Sequence, residues 1–258
     1  MLDLTGKTAL VTGIANNRSI AWGIAQQLHQ AGAKLGVTYL PDDKGRMEKK
    51  VRELVEPLGP SLLLPCDVQN QAQLSETFEQ IGRQWDRIDI LVHSLAFAYK
   101  EELSGAFSET SKEGFLKAME VSTYSLTQLA QAAKPLMGDG SSIVTLTYLG
   151  GERVVPNYNV MGVAKAGLES SVRYLAAELG DHNIRVNAIS AGPMRTLSSS
   201  AVSGITEMIR HVEATAPLQR TVTQAEVGNA AAFLASDLAS GITGQVLYAD
   251  AGYSIMGM

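Results

Sequence analysis

The sequence is poor in cysteine, lacks long apolar runs and carries no surplus of basic charge, and each absence excludes a class of protein. Its single cysteine, Cys66, cannot form an internal disulfide, so a disulfide framework of the secreted kind is excluded. The 21 basic residues against 26 acidic ones give a net charge of −5, which leaves no electrostatic footprint for nucleic acid. No apolar run reaches the ~18 residues that cross a bilayer, and the N-terminus lacks the order of a signal peptide. We therefore expect a cytoplasmic protein without a membrane or nucleic-acid partner.

The 258 residues alternate short apolar runs with longer amphipathic segments from one end to the other. The short runs predict strands at 8–12, 34–39, 61–65, 88–93, 142–147, 184–189 and 245–249. The amphipathic segments predict helices at 20–30, 45–58, 71–85, 112–137, 158–180 and 224–235. This alternation predicts an α/β fold with a doubly wound parallel sheet of about seven strands and helices on both faces. In the absence of a linker or a repeat, we expect one domain over residues 1–258.

One segment interrupts the alternation. Between Ile189 and Thr223 the chain has no predicted strand, and the segment leaves from the carboxyl end of a strand, where open α/β sheets place their ligands. Long excursions of this kind in a compact domain are usually lids or binding loops. We interpret residues near 194–215 as a lid, and the alternative is an edge helix that covers the sheet.

A glycine turn follows the first predicted strand. Gly13 can make the sharp turn, Ser19 is a good N-cap for the next helix, and the amides exposed there could hold a pyrophosphate. Gly23, one turn into the helix, would let that helix pack closely on the sheet. Because such turns are common in α/β proteins, both glycines could equally be structural.

Two further strand ends bear on the choice of dinucleotide. Asp67 follows the third strand and can accept a hydrogen bond from an adenine amino group, or it can N-cap the next helix. The second strand is followed by Leu40, where an acid would receive a ribose 2′-hydroxyl and an arginine would receive a 2′-phosphate. The sequence therefore favours NADH without excluding NADPH.

Tyr158 and Lys165 lie seven residues apart in a predicted helix. This separation is about two turns, so the two side chains share a face, with Met161 between them. Lys165 can hydrogen-bond a nicotinamide ribose and lower the pKa of the phenol through its charge, while Tyr158 donates to an oxygen that gains negative charge. The same spacing also arises by chance on amphipathic helices.

The whole chain resembles the short-chain dehydrogenase/reductase superfamily, and closely its divergent branch of bacterial and plastid enoyl-[acyl-carrier-protein] reductases. The motifs that carry the resemblance are Gly13-x5-Ser19-x3-Gly23, Cys66-Asp67-Val68, His93-Ser94-Leu95-Ala96 and Tyr148-x9-Tyr158-x6-Lys165. The combination is specific, because ordinary carbonyl reductases of the superfamily carry lysine four residues after the tyrosine, where this chain has Gly162. The implied fold is Rossmann-like.

The resemblance also implies roles for single residues. Tyr158 would hydrogen-bond a thioester oxygen, Lys165 would hold the cofactor ribose, and Tyr148 is a second active-site tyrosine. The implied cofactor-binding residues are Gly13, Ser19, Ile20, Leu40, Asp67, Val68, Leu95, Lys165, Met194, Arg195, Thr196, Leu197 and Ser198. The implied substrate-binding residues are Ala98, Tyr148, Tyr158 and Met161.

The implied reaction is hydride transfer from NADH to the β-carbon of a trans-2-enoyl thioester carried by acyl carrier protein, in type II fatty-acid elongation. Relatives of this kind are commonly homotetramers, and we expect the same here. No metal site is expected, because no two of the four histidines have ligand spacing. His93 in an apolar strand is interpreted as a satisfied buried histidine, and Cys66 as a small buried hydrophobe.

Three departures qualify this picture. Ala96 stands where many bacterial relatives have glycine, and Leu40 stands where a glutamine often lies beside the ribose. Arg210 is the only lysine or arginine of the lid over residues 197–211. Two other functions therefore stay open from the sequence: a carbonyl oxidoreductase on the same fold, and a catalytically idle dinucleotide-binding regulator.

Overall fold

The computed structural model describes residues 2–257. Seven parallel strands form one sheet in the order β3-β2-β1-β4-β5-β6-β7. The strands are β1 Thr8–Val11, β2 Lys34–Tyr39, β3 Leu62–Pro65, β4 Ile90–His93, β5 Ser142–Thr147, β6 Arg185–Ala191 and β7 Val246–Ala249. The predicted doubly wound Rossmann-like sheet is confirmed, and its strand limits differ from the predicted ones by no more than two residues.

In the part of the chain that the structure describes, eight α-helices connect these strands. They are α1 Ile20–Gln30, α2 Arg46–Val55, α3 Gln71–Gln84, α4 Lys112–Met119, α5 Ser125–Ala133, α6 Asn159–Leu179, α7 Ile205–Thr215 and α8 Gln224–Ala235. Within residues 2–257, no helix is both long and apolar enough to cross a membrane.

The predicted continuous helix at 112–137 is wrong in one respect. A π-helical turn, Glu120–Tyr124, separates α4 from α5, and the segment ends in the short 3₁₀ helix Lys134–Leu136. Apolar periodicity alone does not reveal a π-turn, because the extra residue shifts the face of the helix without interrupting the helix.

The alternation of side chains along each strand builds two apolar layers. Ala9 and Val11 of β1 pack on one face with α1, α2 and α8, whereas Leu10 between them packs on the other face with α3, α5 and α6. Both faces are therefore covered, which explains why the strands are nearly continuous apolar runs.

The order of the strands fixes where a ligand can bind. β1 pairs with β2 on one side and with β4 on the other. The chain therefore runs outward from β1 through β2 to β3 and then crosses back to β4, where the strand order reverses direction. The carboxyl ends of β1 and β4 therefore border the crevice at which doubly wound sheets bind dinucleotides.

Gly23 contributes to helix packing in a different way from the one expected. A Cβ at Gly23 would lie 2.6 Å from the backbone oxygen of Gln224, and a Cβ at Gly228 would lie 2.6 Å from the oxygen of Gly23. The two glycines thus let α1 and α8 cross in direct backbone contact. The expected packing of Gly23 on the sheet is wrong.

Candidate active site

The turn after β1 approaches the end of β4 so closely that only glycine fits. Gly13 has a φ of +89°, and a Cβ there would lie 2.0 Å from the carbonyl oxygen of Ser94. Thr12 secures the same junction, because its hydroxyl donates to the carbonyl of Val92 at 2.9 Å. The floor of the crevice is therefore bare backbone, as a closely bound dinucleotide requires.

Ser19 occupies the N-cap position of α1, but its hydroxyl does not cap the helix. The Ser19 Oγ instead accepts hydrogen bonds from the amides of Ala15 at 3.0 Å and Asn16 at 3.1 Å, which folds the loop before the helix. The expected capping role is wrong. The first amides of α1, beginning at Ile20, have no side-chain cap. They lie at the positive end of the helix dipole, which favours a bound pyrophosphate.

Asp67 does not cap the helix that follows it. Asn70 caps α3 by accepting the amide of Gln73 at 3.1 Å, whereas Asp67 Oδ1 accepts the amide of Gln69 at 2.9 Å. The interpretation of Asp67 as an N-cap is therefore wrong. Its carboxylate stays in a turn at the end of β3, beside buried Val68.

The remaining predicted cofactor residues follow other strands at the same edge of the sheet. Leu40 follows β2 and is 59% exposed, Leu95 follows β4 and packs on the core, and residues 194–198 follow β6. Because the carboxyl ends of parallel strands meet at one edge, these residues lie along the same edge of the sheet as Gly13 and Asp67.

The sequence did not single out Ser199, which organises the segment 194–198. Its hydroxyl donates to the carbonyl of Met194 at 2.8 Å and accepts the amide of Thr196 at 2.8 Å, and its amide donates to Thr196 Oγ1 at 3.0 Å. A Thr-x2-Ser pair is a common local turn signal, and it would have pointed to this residue.

Lys165 lies inside the protein beside the end of β5. Its side chain belongs to the buried face of α6, and its Nζ donates to the carbonyl oxygen of Leu146 at 2.7 Å. Tyr158 directly precedes α6, two turns before Lys165, and Tyr148 directly follows β5. The rings of Tyr148 and Tyr158 meet edge to face, with centroids 5.0 Å apart.

Burial favours the uncharged form of each of these groups and shifts its pKa accordingly. It lowers the pKa of Lys165 to about 8, opposed by the negative charge of Glu169. It raises the pKa of Tyr148 to about 12 and raises that of Tyr158 well above its usual value, with Tyr148 and Glu169 adding to the latter effect. The expectation that Lys165 lowers the phenol pKa is therefore not met, and Tyr158 is a neutral hydrogen-bond donor.

Glu169 is a buried acidic residue that the sequence reasoning missed. It lies one turn after Lys165 on the same face of α6, and it accepts a hydrogen bond from the Thr147 hydroxyl at 2.6 Å. A Cβ at Gly151 would lie 2.9 Å from Glu169 Oε1, so the loop after β5 closes directly over the carboxylate. The signal in the sequence was the four-residue spacing from Lys165.

Two glycines explain why the lysine follows Tyr158 by seven residues and not by four. A Cβ at Gly150 would lie 2.4 Å from Cδ1 of the Tyr158 ring, and a Cβ at Gly162 would lie 2.8 Å from the carbonyl oxygen of Gly150. The loop after β5 therefore occupies the space that a long side chain at position 162 would need. The ammonium group has to come from the next turns of α6, at Lys165.

The loop after β4 forms the opposite wall of the crevice. Ala96 and Ala98 pack against a small apolar cluster that contains Val160, Met161 and Val202. This cluster also includes the half-buried Tyr158 and Met208, which belongs to α7. Three of the predicted substrate residues, Ala98, Tyr158 and Met161, therefore pack in one apolar cluster. The fourth, Tyr148, adjoins this cluster through the ring of Tyr158 and the sulfur of Met208.

The π-turn fixes this wall to the rest of the fold. Buried Ser122 accepts the amide of Phe97 at 2.9 Å and lies 3.0 Å from the Phe97 carbonyl oxygen, to which its hydroxyl donates. The next residue, Thr123, donates to the carbonyl of Ala164 at 2.7 Å, beside Lys165. The π-turn thus contacts both the loop after β4 and α6, in keeping with the frequent occurrence of such turns at functional sites.

His93 and Cys66 are structural, as interpreted from the sequence. Fully buried His93 has hydrogen-bond partners on both ring nitrogens, Thr145 at 2.7 Å and Ser125 at 2.8 Å. Burial and the nearby charge of Lys165 lower its pKa to about 3, so it stays neutral. Burial raises the pKa of the Cys66 thiol to about 11. Among residues 2–257, no three acidic, histidine or cysteine side chains are grouped so that they could hold a metal ion.

The fold and this site define a class. The site combines a glycine turn at the switch point with a tyrosine directly before α6 and a buried lysine two turns later, beside the carboxyl end of β5. This is the arrangement of a dinucleotide-dependent oxidoreductase of the short-chain dehydrogenase/reductase type.

Comparison with known proteins agrees with this class and narrows it. A sequence profile described as enoyl-(acyl carrier protein) reductase matches residues 13–254. The enoyl-[acyl-carrier-protein] reductase [NADH] FabI of Nostoc sp. is 73% identical over 258 residues, which are 100% of both chains. The corresponding protein of Synechocystis sp. is 69% identical over 258 residues, again 100% of both.

Solved structures give the same result. The Bacillus cereus enoyl-acyl carrier protein reductase, crystallised with NADP+ and an indole naphthyridinone, is 55% identical and superimposes with a TM-score of 0.96 over 100% of both chains. The Anaplasma phagocytophilum reductase in complex with NAD is 45% identical, with a TM-score of 0.94 over 99% of this chain and 96% of that one. The chain therefore belongs to the enoyl-acyl carrier protein reductase family, which confirms the resemblance and makes it an enzyme rather than an idle regulator.

Gly150→Ala tests the packing of the Tyr158 ring. The added Cβ would lie 2.4 Å from the ring, so we expect the ring to move and turnover to fall by at least about tenfold, the effect of misplacing a reacting group. Binding of reduced cofactor, followed by NADH fluorescence, should stay within about twofold. Gly138→Ala is the control, because its Cβ meets no atom within 4 Å. Normal turnover by Gly150→Ala would show that the close contact does not position Tyr158.

The pKa of Lys165 leads to a prediction about cofactor binding. Because burial lowers this pKa to about 8, the ammonium loses its proton as the pH rises through that value. The dissociation constant of NADH should be constant at acidic and neutral pH and should rise above about pH 8, by at most about tenfold per pH unit. Lys165→Met should bind weakly at every pH. A wild-type constant that stays unchanged up to pH 10 would contradict a role for the charged amine.

Proposed function

We propose that this chain reduces the carbon–carbon double bond of a trans-2-enoyl thioester with NADH, and that Tyr158 and Lys165 are its central residues. The observation that carries the assignment of roles is the buried ammonium of Lys165. It donates to the Leu146 carbonyl at 2.7 Å and lies on the same face of α6 as Tyr158. Both residues lie at the carboxyl edge of the sheet, where the glycine turn at Gly13 also lies.

The residues at this edge fit a nicotinamide dinucleotide. Gly13 leaves the turn after β1 as bare backbone, the uncapped amides at Ile20 suit a pyrophosphate, and Asp67 suits the adenine. We propose that the cofactor residues are those expected from the sequence, from Gly13 to Ser198. When bound, the cofactor supplies the hydride that adds to the β-carbon of the substrate.

Tyr158 meets the chemical requirement of this reaction. A carbon–carbon double bond accepts a hydride only if the conjugated thioester carbonyl takes up the negative charge, so a donor to that oxygen is needed. The raised pKa of Tyr158 keeps its phenol protonated, and the phenol donates to the oxygen as the enolate forms. The α-carbon of the enolate then takes a proton that comes from solvent, which gives the saturated thioester.

Lys165 holds the cofactor and not the substrate. Its ammonium uses one hydrogen on the Leu146 carbonyl, and two hydrogens are left for the hydroxyls of a ribose. Glu169 supplies the negative charge that helps a buried ammonium to stay charged. Tyr148 shapes the pocket through its edge contact with Tyr158.

The acyl chain occupies the apolar space between the loop after β4 and the lid. Ala98 and Met161 line this space together with the two tyrosines. The segment 194–215 covers it, because the Tyr148 hydroxyl lies 3.1 Å from the sulfur of Met208, one turn into α7. This contact favours the lid over the edge helix for this segment.

Acyl carrier protein is the proposed carrier of the substrate, and exposed Arg210 on α7 is available to its acidic surface. We further propose a cytoplasmic homotetramer of single-domain chains. Support for subunit contacts comes from Leu116, Tyr124 and Tyr174, which are 57%, 54% and 79% exposed on the helices from 112 to 179.

The first experiment follows the loss of reduced-nicotinamide absorbance with a short trans-2-enoyl thioester, with NADH and NADPH in parallel. We expect rapid loss with NADH and slower loss with NADPH, because no arginine follows β2 directly to receive a 2′-phosphate. Cofactor binding without turnover of any enoyl thioester would overturn the proposal.

Two variants separate the roles of the central residues. Tyr158→Phe should lower turnover by at least about 10²-fold, the usual effect of losing a donor to a developing oxyanion, while NADH binding stays nearly normal. Lys165→Ala should mainly weaken NADH binding. The measurements are steady-state turnover and NADH fluorescence titration. Normal NADH binding by Lys165→Ala would show that the role assigned to Lys165 is wrong.

A further inference from the structure

Two asparagines with unusual backbone conformations flank Tyr158. Asn157 has a φ of +62° and Asn159 a φ of +38°, whereas Tyr158 between them has a φ of −94°. Positive φ values are costly for residues with a side chain, and asparagine tolerates them better than most. Such conformations persist only where the surroundings enforce them, and they concentrate at functional sites.

The side chain of Asn157 reaches the lid. Its Nδ2 donates to the carbonyl oxygen of Ser203 at 3.0 Å. The next residue, Gly204, has a φ of +79° and directly precedes α7. A Cβ at Gly204 would lie 3.7 Å from the same Nδ2, so the amide of Asn157 sits against the turn that begins the lid helix.

A second contact ties the first turn of α7 to the other tyrosine. The amide of Met208 donates to the carbonyl of Gly204 at 2.9 Å, and the sulfur of Met208 accepts the hydroxyl of Tyr148 at 3.1 Å. The chain is therefore held two residues before α7 by Asn157, the neighbour of Tyr158, and within the first turn of α7 by Tyr148. The Tyr148 contact uses a side chain of the proposed substrate pocket, whereas the Asn157 contact uses a side chain outside it.

Asn159 fixes the other side of Tyr158. Its Nδ2 donates to the carbonyl of Gly105 at 3.3 Å, in the segment that follows the loop after β4. The residues on either side of Tyr158 are thus each fixed by a side-chain contact. Asn157 contacts the lid, and Asn159 contacts the segment that follows the loop after β4. A displacement of Ser203 removes the partner of Asn157 and frees one end of the strained backbone that carries the phenol.

We propose that Asn157 is a positioning residue that couples closure of the lid, residues 194–215, to the placement of the Tyr158 hydroxyl. The inference rests on the proposed function, because it assumes that Tyr158 donates to the substrate. With the lid closed, the Ser203 carbonyl holds Asn157 in its left-handed conformation and the phenol faces the substrate. With the lid open, that restraint is lost.

Three substitutions separate the side chain of Asn157 from its backbone. Asn157→Gly adopts the left-handed conformation without steric strain and loses the side-chain amide. Asn157→Asp also tolerates this conformation, but it places a carboxylate oxygen against the Ser203 carbonyl. Asn157→Ala loses the amide and strains the backbone as well.

We expect kcat/KM for the enoyl thioester to fall about fivefold in Asn157→Gly, the effect of one lost hydrogen bond of ordinary net strength. The fall in kcat/KM should be larger in Asn157→Asp and Asn157→Ala. In Asn157→Ala, kcat itself should also fall. Because Asn157 is not among the proposed cofactor-binding residues, the dissociation constant of NADH should stay within about twofold for all three variants. If Asn157 were purely structural, its loss would change kcat/KM for the enoyl thioester and the dissociation constant of NADH together.

Asn183 provides a matched control. It also has a positive φ, +51°, and it also donates through its side-chain amide, to Asp139, but it lies before the amino end of β6, remote from the crevice. Asn183→Gly and Asn183→Asp should therefore leave kcat and KM for the enoyl thioester unchanged.

Two outcomes count against the inference and are distinguishable. If the wild type reduces the enoyl thioester and Asn157→Gly and Asn157→Asp match it within twofold in kcat and KM, the coupling is refuted while the proposed function stands. If the wild type binds NADH but does not reduce the thioester, the proposed function fails, and the inference fails with it.

Discussion

The ammonium group of Lys165 is buried, and the carbonyl oxygen of Leu146 is the partner that holds it there. A buried cation needs both a hydrogen-bond acceptor and a compensating charge. β5 supplies the acceptor at its carboxyl end, and Glu169, one turn further along α6, supplies the charge and is itself held by Thr147. These contacts fix α6 against β5. Since Tyr158 begins the same helix, they also fix the phenol over the crevice.

The rest of the site is shaped by the absence of side chains. Gly13 allows the turn after β1 to touch Ser94, and Gly150 allows the loop after β5 to touch the ring of Tyr158. Gly162 allows the same loop to approach α6. In each case backbone occupies the place of a side chain, so the cofactor floor and the tyrosine are positioned by rigid segments. The proposed lid contacts this frame through Tyr148 and Asn157.

Much of this could be predicted from the sequence. The strands at 34–39 and 142–147 have the predicted limits because their apolar runs are bounded by clear turn residues, and Tyr158 and Lys165 share a face because helical geometry demands it. The π-turn at 120–124 was not predictable, because it leaves the apolar pattern intact. The roles of Ser19 and Asp67 as caps were wrong, because several polar side chains near a helix start compete for the same amides and the sequence does not rank them. The burial of Glu169 depends on how closely Gly151 approaches it, which is a tertiary contact.

The central claim is that hydride reaches the β-carbon of an enoyl thioester while Tyr158 stabilises the charge on the thioester oxygen. The most direct test is mass spectrometry of the product formed from a trans-2-enoyl thioester and NADH that carries deuterium at the transferred position of its nicotinamide ring. The account predicts a saturated thioester with one deuterium on the β-carbon and none on the α-carbon, and it predicts solvent deuterium on the α-carbon when the unlabelled reaction is run in D₂O. Cofactor deuterium on the carbonyl carbon, in an aldehyde or alcohol product, would contradict it.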